Sequence, residues 1–217
     1  LAMNKNSKTD LSAMKYLSIL VILILPLSTY ADSKRESLLI YGDSISAGYG
    51  MPKEKQWSVI LQEKINKENL KIKVINSSIS GETTSGGLAR ISQTIESIKP
   101  DYLFLELGGN DALRGYPPRQ IAANLAEMIK IADSANAKVL LMQIRIPPNY
   151  GSRYQKAFES IYPSIASETS ATLIPFMLEE VALNEDLMLP DGIHPKASAQ
   201  PLIADYVYRQ LKPLLIH

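Results

Sequence analysis

Five short, almost continuously apolar runs alternate along the chain with longer segments whose apolar residues recur at helical spacing. The runs lie at residues 37–41, 72–76, 102–107, 138–144 and 172–174. Strands that are buried on both faces of a parallel sheet have this nearly unbroken hydrophobic pattern. The pattern therefore predicts five buried strands.

The amphipathic segments between and after these runs predict helices. They lie at residues 56–67, 84–98, 118–136, 153–169 and 195–215. Repeated alternation of strand and helix predicts right-handed crossovers and a parallel sheet covered on both faces. We therefore expect an α/β fold, a three-layer α/β/α sandwich with a five-stranded parallel sheet. No repeat or linker divides residues 32–217, which we interpret as one domain.

The N-terminal segment has a different character. Lys15 precedes an apolar run at residues 17–27, which is followed by small residues at Thr29 and Ala31. The run is shorter than the roughly 20 residues of a membrane-spanning helix. We interpret residues 1–31 as an N-terminal extension and a secretory signal peptide that is cleaved after Ala31. We therefore expect an exported protein with no stable membrane anchor after cleavage.

Charge and cysteine content exclude several classes of function. The formal net charge is +1, and the basic residues form no stripe or cluster, which argues against nucleic acid as a partner. The chain has no cysteine, so disulfides, thiolate metal sites and a cysteine nucleophile are excluded.

Glycine and polar residues concentrate where the predicted strands end, which is the edge at which parallel sheets bind ligands. Ser44 follows the first strand, Gly81 lies in the loop after the second, and Asn110 follows the third. The Ser44 and Gly81 amides and the Asn110 side chain are candidate donors to an oxyanion. Each residue also has a simpler explanation, as a helix cap, a helix-start glycine or a turn residue.

The chain has two histidines, and one of them, His217, is its last residue. His194 follows Asp191 by three residues, so one segment supplies both the base and the orienting carboxylate that a serine nucleophile needs. Pro195 suits the first turn of a helix, so we expect His194 just before the last helix. A capping aspartate in a surface turn is the alternative. One histidine and one aspartate are too few ligands for a metal, and we expect none.

Four separated blocks resemble the GDSL, or SGNH, hydrolase superfamily. They are residues 42–46, the loop at Gly81, residues 108–111 and residues 191–195, with Ile45 where the family name implies leucine. The order of these blocks and their positions at strand ends agree with the family over residues 32–217. The resemblance implies a flavodoxin-like sheet of order 2-1-3-4-5.

The resemblance also implies a role for each site residue. Ser44 would be the nucleophile, His194 the base and Asp191 the residue that orients it. The oxyanion hole would consist of the Ser44 and Gly81 amides and the Asn110 side chain, and no cofactor would be needed. Asp43 is interpreted as a turn or structural residue.

Within this superfamily, segments 78–81, 106–111, 140–145 and 149–151 are similar to periplasmic Gram-negative enzymes with thioesterase, protease and lysophospholipase activities. The similarity implies a periplasmic serine hydrolase, a monomer, that cleaves acyl esters, thioesters or lysophospholipids. A carbohydrate acetylesterase of the same superfamily and a non-catalytic lipid-binding module are the alternatives.

Two loops, at residues 112–118 and 146–150, are expected to flank the site. Their apolar side chains would suit an acyl chain, although ordinary loop packing would also explain them. The candidate substrate-binding residues are Leu113, Tyr116, Ile146, Pro147 and Tyr150.

Overall fold

The computed structural model describes residues 35–215. The predicted extension and signal peptide, residues 1–31, lie outside the described residues. The five predicted strands form one parallel sheet of order β2-β1-β3-β4-β5, which confirms the expected flavodoxin-like arrangement. The strands are β1 (Glu36–Gly42), β2 (Ile72–Asn76), β3 (Tyr102–Glu106), β4 (Lys138–Met142) and β5 (Thr172–Ile174).

Helices cover both faces of this sheet. The α-helices of residues 35–215 are α1 (Ser44–Ala47), α2 (Trp57–Lys67), α3 (Thr84–Ile98), α4 (Gly109–Leu113), α5 (Pro118–Ser134), α6 (Ser152–Glu159), α7 (Ile161–Glu168) and α8 (Gln200–Leu215). Short 3-10 segments lie at Lys53–Lys55, Pro148–Tyr150 and Ala197–Ala199. None of these helices combines the length and apolar composition needed to cross a membrane.

The strand order determines which face each helix covers. The crossover from β1 to β2 runs one way along the sheet, whereas the crossovers from β2 to β3 and from β3 to β4 run the other way. Right-handed crossovers therefore place α2 on one face of the sheet and α3 and α5 on the other. Accordingly α2 packs against α8, while α3 packs against α5 and α5 against α7. This arrangement is the predicted three-layer α/β/α sandwich.

The predicted helix at residues 153–169 is two helices, α6 and α7, which meet at Ser160. Pro163 lies in the first turn of α7. Proline has no amide hydrogen to donate to the carbonyl of residue 159, and its ring would clash with that carbonyl in a continuous helix. The hydrophobic spacing predicts one continuous helix because it continues across the break.

The last helix begins at Gln200, five residues later than predicted. Pro195 instead forms an antiparallel bridge with Met188, and the flanking amides extend the pairing: Leu189 N donates to His194 O at 2.7 Å, and Lys196 N donates to Leu187 O at 2.7 Å. Residues 187–196 therefore form a hairpin. His194 lies in that hairpin and not at the start of a helix, which corrects the expectation drawn from Pro195.

Candidate active site

Ser44 is the first residue of α1, immediately after β1 reaches the carboxyl edge of the sheet. Asp43 caps this short helix, because its Oδ1 accepts a hydrogen bond from the Ile45 amide at 3.0 Å. The change from strand to helix over two residues fixes the direction of the Ser44 side chain. Ser44 is 8% exposed, so most of the residue is shielded from water.

The hairpin at residues 187–196 presents Asp191 and His194 as one unit. Asp191 Oδ1 accepts from the amides of Ile193 at 2.9 Å and His194 at 3.0 Å. Asp191 Oδ2 lies 2.8 Å from His194 Nδ1. Gly192, between them, has a φ of 66°, a left-handed conformation that glycine adopts without strain. The carboxylate thus determines both the turn and the orientation of the imidazole.

Hydrogen bonds determine the charge state of Asp191. Partial burial would raise the pKa of its carboxyl, but donors from the His194 amide, the His194 ring and the Ile193 amide outweigh burial and lower the pKa to about 2. The carboxylate is therefore ionised at neutral pH. An ionised acceptor at Nδ1 keeps the proton on that nitrogen and leaves Nε2 as the basic atom.

One hydrogen bond joins two segments that are far apart in the sequence. Ser44 Oγ lies 2.8 Å from His194 Nε2, although the residues are 150 positions apart in the sequence. Together with the Asp191 contact, this bond completes a continuous chain from carboxylate to imidazole to hydroxyl. The geometry allows His194 to accept the hydroxyl proton when the serine oxygen attacks.

Asn110 lies in α4, whose N-cap residue, Gly108, is two residues beyond the end of β3. Gly108 has a φ of 118°, and a β-carbon there would lie 2.4 Å from the Tyr162 hydroxyl. Only glycine fits this turn. Asn110 Nδ2 donates to Asp43 Oδ2 at 3.1 Å, so the amide is held beside the segment that carries Ser44.

Gly81 lies in the loop after β2, with a φ of 79°. The Ile79 amide of this loop donates to the Gly42 carbonyl at 3.0 Å, which ties the loop to the end of β1. The Gly81 carbonyl accepts from Arg114 Nη2 at 3.3 Å. Gly81 itself is not among the residues that line the cleft beside Ser44.

A cleft of about 590 Å³ opens beside the Ser44 hydroxyl. One of its walls comes from the loop after β4 and another from residues 176–188, which follow β5. Sequence reasoning missed this second wall because the segment has neither a helical nor a strand period. Its contributing residues are Phe176, Met177, Leu178, Glu179, Ala182, Leu183 and Met188.

The predicted lining of the site is partly found in this cleft. Leu113, Ile146 and Pro147 line it, together with Ser44, Asn110 and His194. Tyr116 and Tyr150 are not among the residues that line it. The backbone carbonyl of Tyr116 accepts from the Tyr154 hydroxyl at 2.6 Å, and Tyr150 packs partly buried against the core.

An ion pair links the two walls of the cleft. Arg145 Nη1, in the loop after β4, lies 2.7 Å from Glu179 Oε1 in the opposite wall. Both side chains are about half exposed, so the pair adds little to stability. In residues 35–215, no cluster of three or more histidine, aspartate or glutamate side chains is arranged to hold a metal ion.

Ser44 is hydrogen-bonded to His194, and His194 to Asp191, at the carboxyl edge of an α/β sheet. This is the arrangement of a serine hydrolase. The model of the GDSL-like lipase/acylhydrolase family matches residues 40–200. The chain therefore belongs to this family, which confirms the resemblance seen in the sequence and the expectation of a serine ester hydrolase.

Individual relatives cover most of the chain. It is 47% identical over 181 residues to an arylesterase of Vibrio mimicus, which covers 83% of this chain and 90% of that protein. It is 46% identical over 198 residues to the thioesterase 1/protease 1/lysophospholipase L1 of Escherichia coli K12, covering 91% of this chain and 94% of that protein. The solved structure of the psychrotrophic esterase EstA from Pseudoalteromonas, inhibited by monoethylphosphonate, matches with a TM-score of 0.81 and 43% identity, over 83% of this chain and 98% of EstA.

Proposed function

We propose that the chain hydrolyses acyl esters and thioesters through an acyl-enzyme on Ser44, with His194 as general base and Asp191 as the residue that orients it. The observation that carries this proposal is the unbroken hydrogen-bond chain, 2.8 Å from Ser44 Oγ to His194 Nε2 and 2.8 Å from His194 Nδ1 to Asp191 Oδ2. Such a chain activates a hydroxyl that is otherwise a weak nucleophile.

The reaction runs in two halves. Ser44 Oγ bonds to the acyl carbon while His194 Nε2 takes the hydroxyl proton, and the carbonyl electrons move onto the oxygen. His194 then gives the proton to the leaving alcohol or thiol as the tetrahedral species collapses to the acyl-enzyme. Water repeats the sequence, and the carboxylic acid leaves as the serine hydroxyl is restored.

The oxyanion hole of this proposal consists of the backbone amides of Ser44 and Gly81 and Asn110 Nδ2. Each donor directed at the developing negative charge is worth about 10² to 10³ in rate. The position of Ser44 at the start of α1 and the hydrogen bond of Asn110 to Asp43 support the assignment of these two donors.

The cleft favours a fatty acyl chain over an acetyl group. Its lining is mostly apolar, and about 590 Å³ is far more space than two carbons fill. The relatives named arylesterase and thioesterase 1/protease 1/lysophospholipase L1 support the same range of acyl esters, thioesters and lysophospholipids. A carbohydrate acetylesterase, the alternative, would have little use for the second wall at residues 176–188.

We also propose that the protein is exported to the periplasm after cleavage behind Ala31 and acts there as a soluble monomer. The basic start, the apolar run at residues 17–27 and the small residues that follow it support this proposal. In that compartment lysophospholipids and small esters are the accessible substrates. Cell fractionation, N-terminal sequencing of the periplasmic form and its mass in solution test the three parts.

A substrate panel tests the activity. We expect p-nitrophenyl octanoate and laurate, acyl-CoA and lysophosphatidylcholine to be hydrolysed, with kcat/KM rising from acetyl to longer chains. A fluorophosphonate should label Ser44, as the monoethylphosphonate inhibition of the similar esterase EstA suggests. Ser44→Ala should lower kcat by about 10⁴ to 10⁶. Wild-type rates in Ser44→Ala would refute the nucleophile, and activity confined to acetyl esters would favour the acetylesterase.

A further inference from the structure

Two acidic side chains are buried directly beside the nucleophile, and the mechanism proposed above uses neither. Asp43 precedes Ser44 and is 4% exposed, and Glu106 ends β3 and is 1% exposed. Carboxyl groups in such positions are costly to bury unless they are hydrogen-bonded or neutral. Their hydrogen bonds indicate what each of them does.

One oxygen of the Asp43 carboxylate caps α1, and the other binds the Asn110 side chain. Oδ1 accepts from the Ile45 amide at 3.0 Å, and Oδ2 accepts from Asn110 Nδ2 at 3.1 Å. An ionised carboxylate can only accept hydrogen bonds, so it requires the nitrogen of the Asn110 amide to face it. One N–H is then used by Asp43, and the second N–H of the same group remains for a ligand.

Glu106 has a different set of partners. Its Oε2 accepts from Ser46 Oγ at 2.7 Å and from the Asp43 amide at 3.3 Å. Burial raises the pKa of Glu106 well above its usual range, and the neighbouring Asp43 carboxylate raises it further. The proton is therefore favoured on Glu106.

Asp43 is the member of the pair that is better able to hold a negative charge. Burial raises the pKa of Asp43, and although the Ile45 amide, His194 and Asn110 act to lower it, the pKa remains raised, at about 6. Other titratable groups also face Asp43. They are Glu106 of β3, Asp111 of α4, Tyr162 of α7 and His194 of the hairpin.

We propose that Asp43 is a positioning residue of the hydrolytic site: its carboxylate holds the Asn110 amide with one N–H directed at the oxyanion, and Glu106 stays protonated behind it so that the charge resides on Asp43. The inference rests on the function proposed above, because it assigns a task to Asn110 in that reaction. A rigidly held donor needs no reorganisation when the negative charge develops.

Asp43→Asn tests the first part, because asparagine keeps an oxygen for the Ile45 amide and offers a donor where Asn110 needs an acceptor. We expect kcat to fall about 10- to 100-fold while KM changes less than about threefold, since the contact matters only in the transition state. Asn110→Ala should lower kcat by about 10² to 10³. In Asp43→Asn combined with Asn110→Ala, kcat should be close to that of Asn110→Ala alone, because the two residues act through one contact.

Asp43→Ser provides a second variant in case Asp43→Asn does not fold. Serine retains a helix cap but cannot reach Asn110, so the same fall in kcat is expected. Full additivity of the Asp43 and Asn110 substitutions, or a wild-type kcat in either Asp43 variant, would overturn the proposal. Failure of the fluorophosphonate to label Ser44 in the wild-type protein would instead refute the proposed function itself, so the two failures are distinguishable.

Infrared spectroscopy tests the part played by Glu106. A protonated carboxyl has a carbonyl stretch that an ionised carboxylate lacks. We expect this band in the wild-type protein at neutral pH, its retention in Asp43→Ser and its loss in Glu106→Gln. If the carboxylic-acid carbonyl band is absent from the wild-type protein, or is unchanged in Glu106→Gln, Glu106 is ionised and this part is overturned.

Discussion

The ring of Tyr49 packs against the ring of His194, with centroids 4.4 Å apart and the ring planes at 33°. The Tyr49 amide also donates to the Ser44 carbonyl at 3.1 Å. Tyr49 therefore belongs to the turn that carries the serine and covers one face of the imidazole. Ser44 and Asp191 fix the two nitrogens of the imidazole in its plane, and Tyr49 limits its movement out of that plane.

Removing the Tyr49 ring should loosen His194. An aromatic contact of this kind is worth about 0.5 to 1.5 kcal/mol, so Tyr49→Ala should lower kcat/KM on p-nitrophenyl esters by about 2- to 10-fold. Tyr49→Phe keeps the ring and should stay near the wild-type value. If Tyr49→Phe is as impaired as Tyr49→Ala, the hydroxyl and not the ring contact matters.

Asp191→Asn should remove most of the activity while the fold is kept. An amide in this position no longer favours the tautomer with the proton on His194 Nδ1, and we expect kcat to fall about 10³- to 10⁴-fold with an unchanged circular dichroism spectrum. With a pKa of about 2, Asp191 stays ionised above about pH 4, so its titration should leave no inflection in the wild-type kcat profile between about pH 5 and 9. A variant that retains a tenth of the wild-type kcat would contradict the assignment.

The buried Asp43 should make stability fall as pH rises. Because burial raises its folded pKa to about 6, the native protein binds more protons than the unfolded chain between about pH 4 and 6. This contribution is fully present below the unfolded pKa and is lost as the pH rises through the folded one. The free energy of unfolding in urea should therefore depend less steeply on pH in Asp43→Asn over this window. Equal slopes in the two proteins would contradict the raised pKa.

Gly108→Ala should destabilise the protein because a β-carbon there would lie 2.4 Å from the Tyr162 hydroxyl at a φ of 118°. That hydroxyl is fixed by its hydrogen bond to the Leu107 carbonyl at 3.0 Å. We expect a loss of about 2 to 4 kcal/mol in the free energy of unfolding. Gly115→Ala is the matched control, with a φ of 72° and no atom within 4 Å, and should lose about 1 kcal/mol. Equal losses would show that the Tyr162 contact is relieved at little cost.

Leu183 should affect the KM of esters with long acyl chains only. It is 93% exposed and lines the cleft, so Leu183→Ser removes apolar contact with a substrate without opening a cavity in the core. The lost contact of about 1 to 2 kcal/mol should raise KM for p-nitrophenyl laurate about 5- to 30-fold and leave the acetate ester unchanged. Leu202→Ser, another exposed leucine but outside the cleft, should change neither ester. An unchanged laurate KM in Leu183→Ser would mean that the chain follows a different wall.

The hydrophobic pattern was sufficient to predict the sheet, since all five strands lie within two residues of their predicted ends. Strands buried on both faces need apolar residues at nearly every position, and this demand is visible without any tertiary information. The contact of Asp191 with His194 was equally accessible, because residues three apart in a turn are neighbours through local geometry alone.

The wall at residues 176–188 was not predictable in the same way. Its side chains have no regular period, because the segment is mostly turns, and residues such as Met177 and Leu178 are placed by packing into the core and not by a local repeat. Asp43 was interpreted as a turn residue, which its cap on Ile45 supports, but its contact with Asn110 depends on two strands lying side by side. For a residue with one local and one long-range partner, sequence analysis can predict only the local contact.

The sequence by itself determined the class of fold, the apolar strands, the membership of the family and the local pairing of Asp191 with His194. Only the tertiary structure decided that Ser44 and His194 meet at 2.8 Å, that a hairpin and not a helix carries the histidine, and that Asp43 and Glu106 are buried beside the nucleophile. The physical reason is distance along the chain. Local backbone and burial preferences act within a few residues, whereas these contacts join segments that approach each other only when the sheet is assembled and its loops are packed.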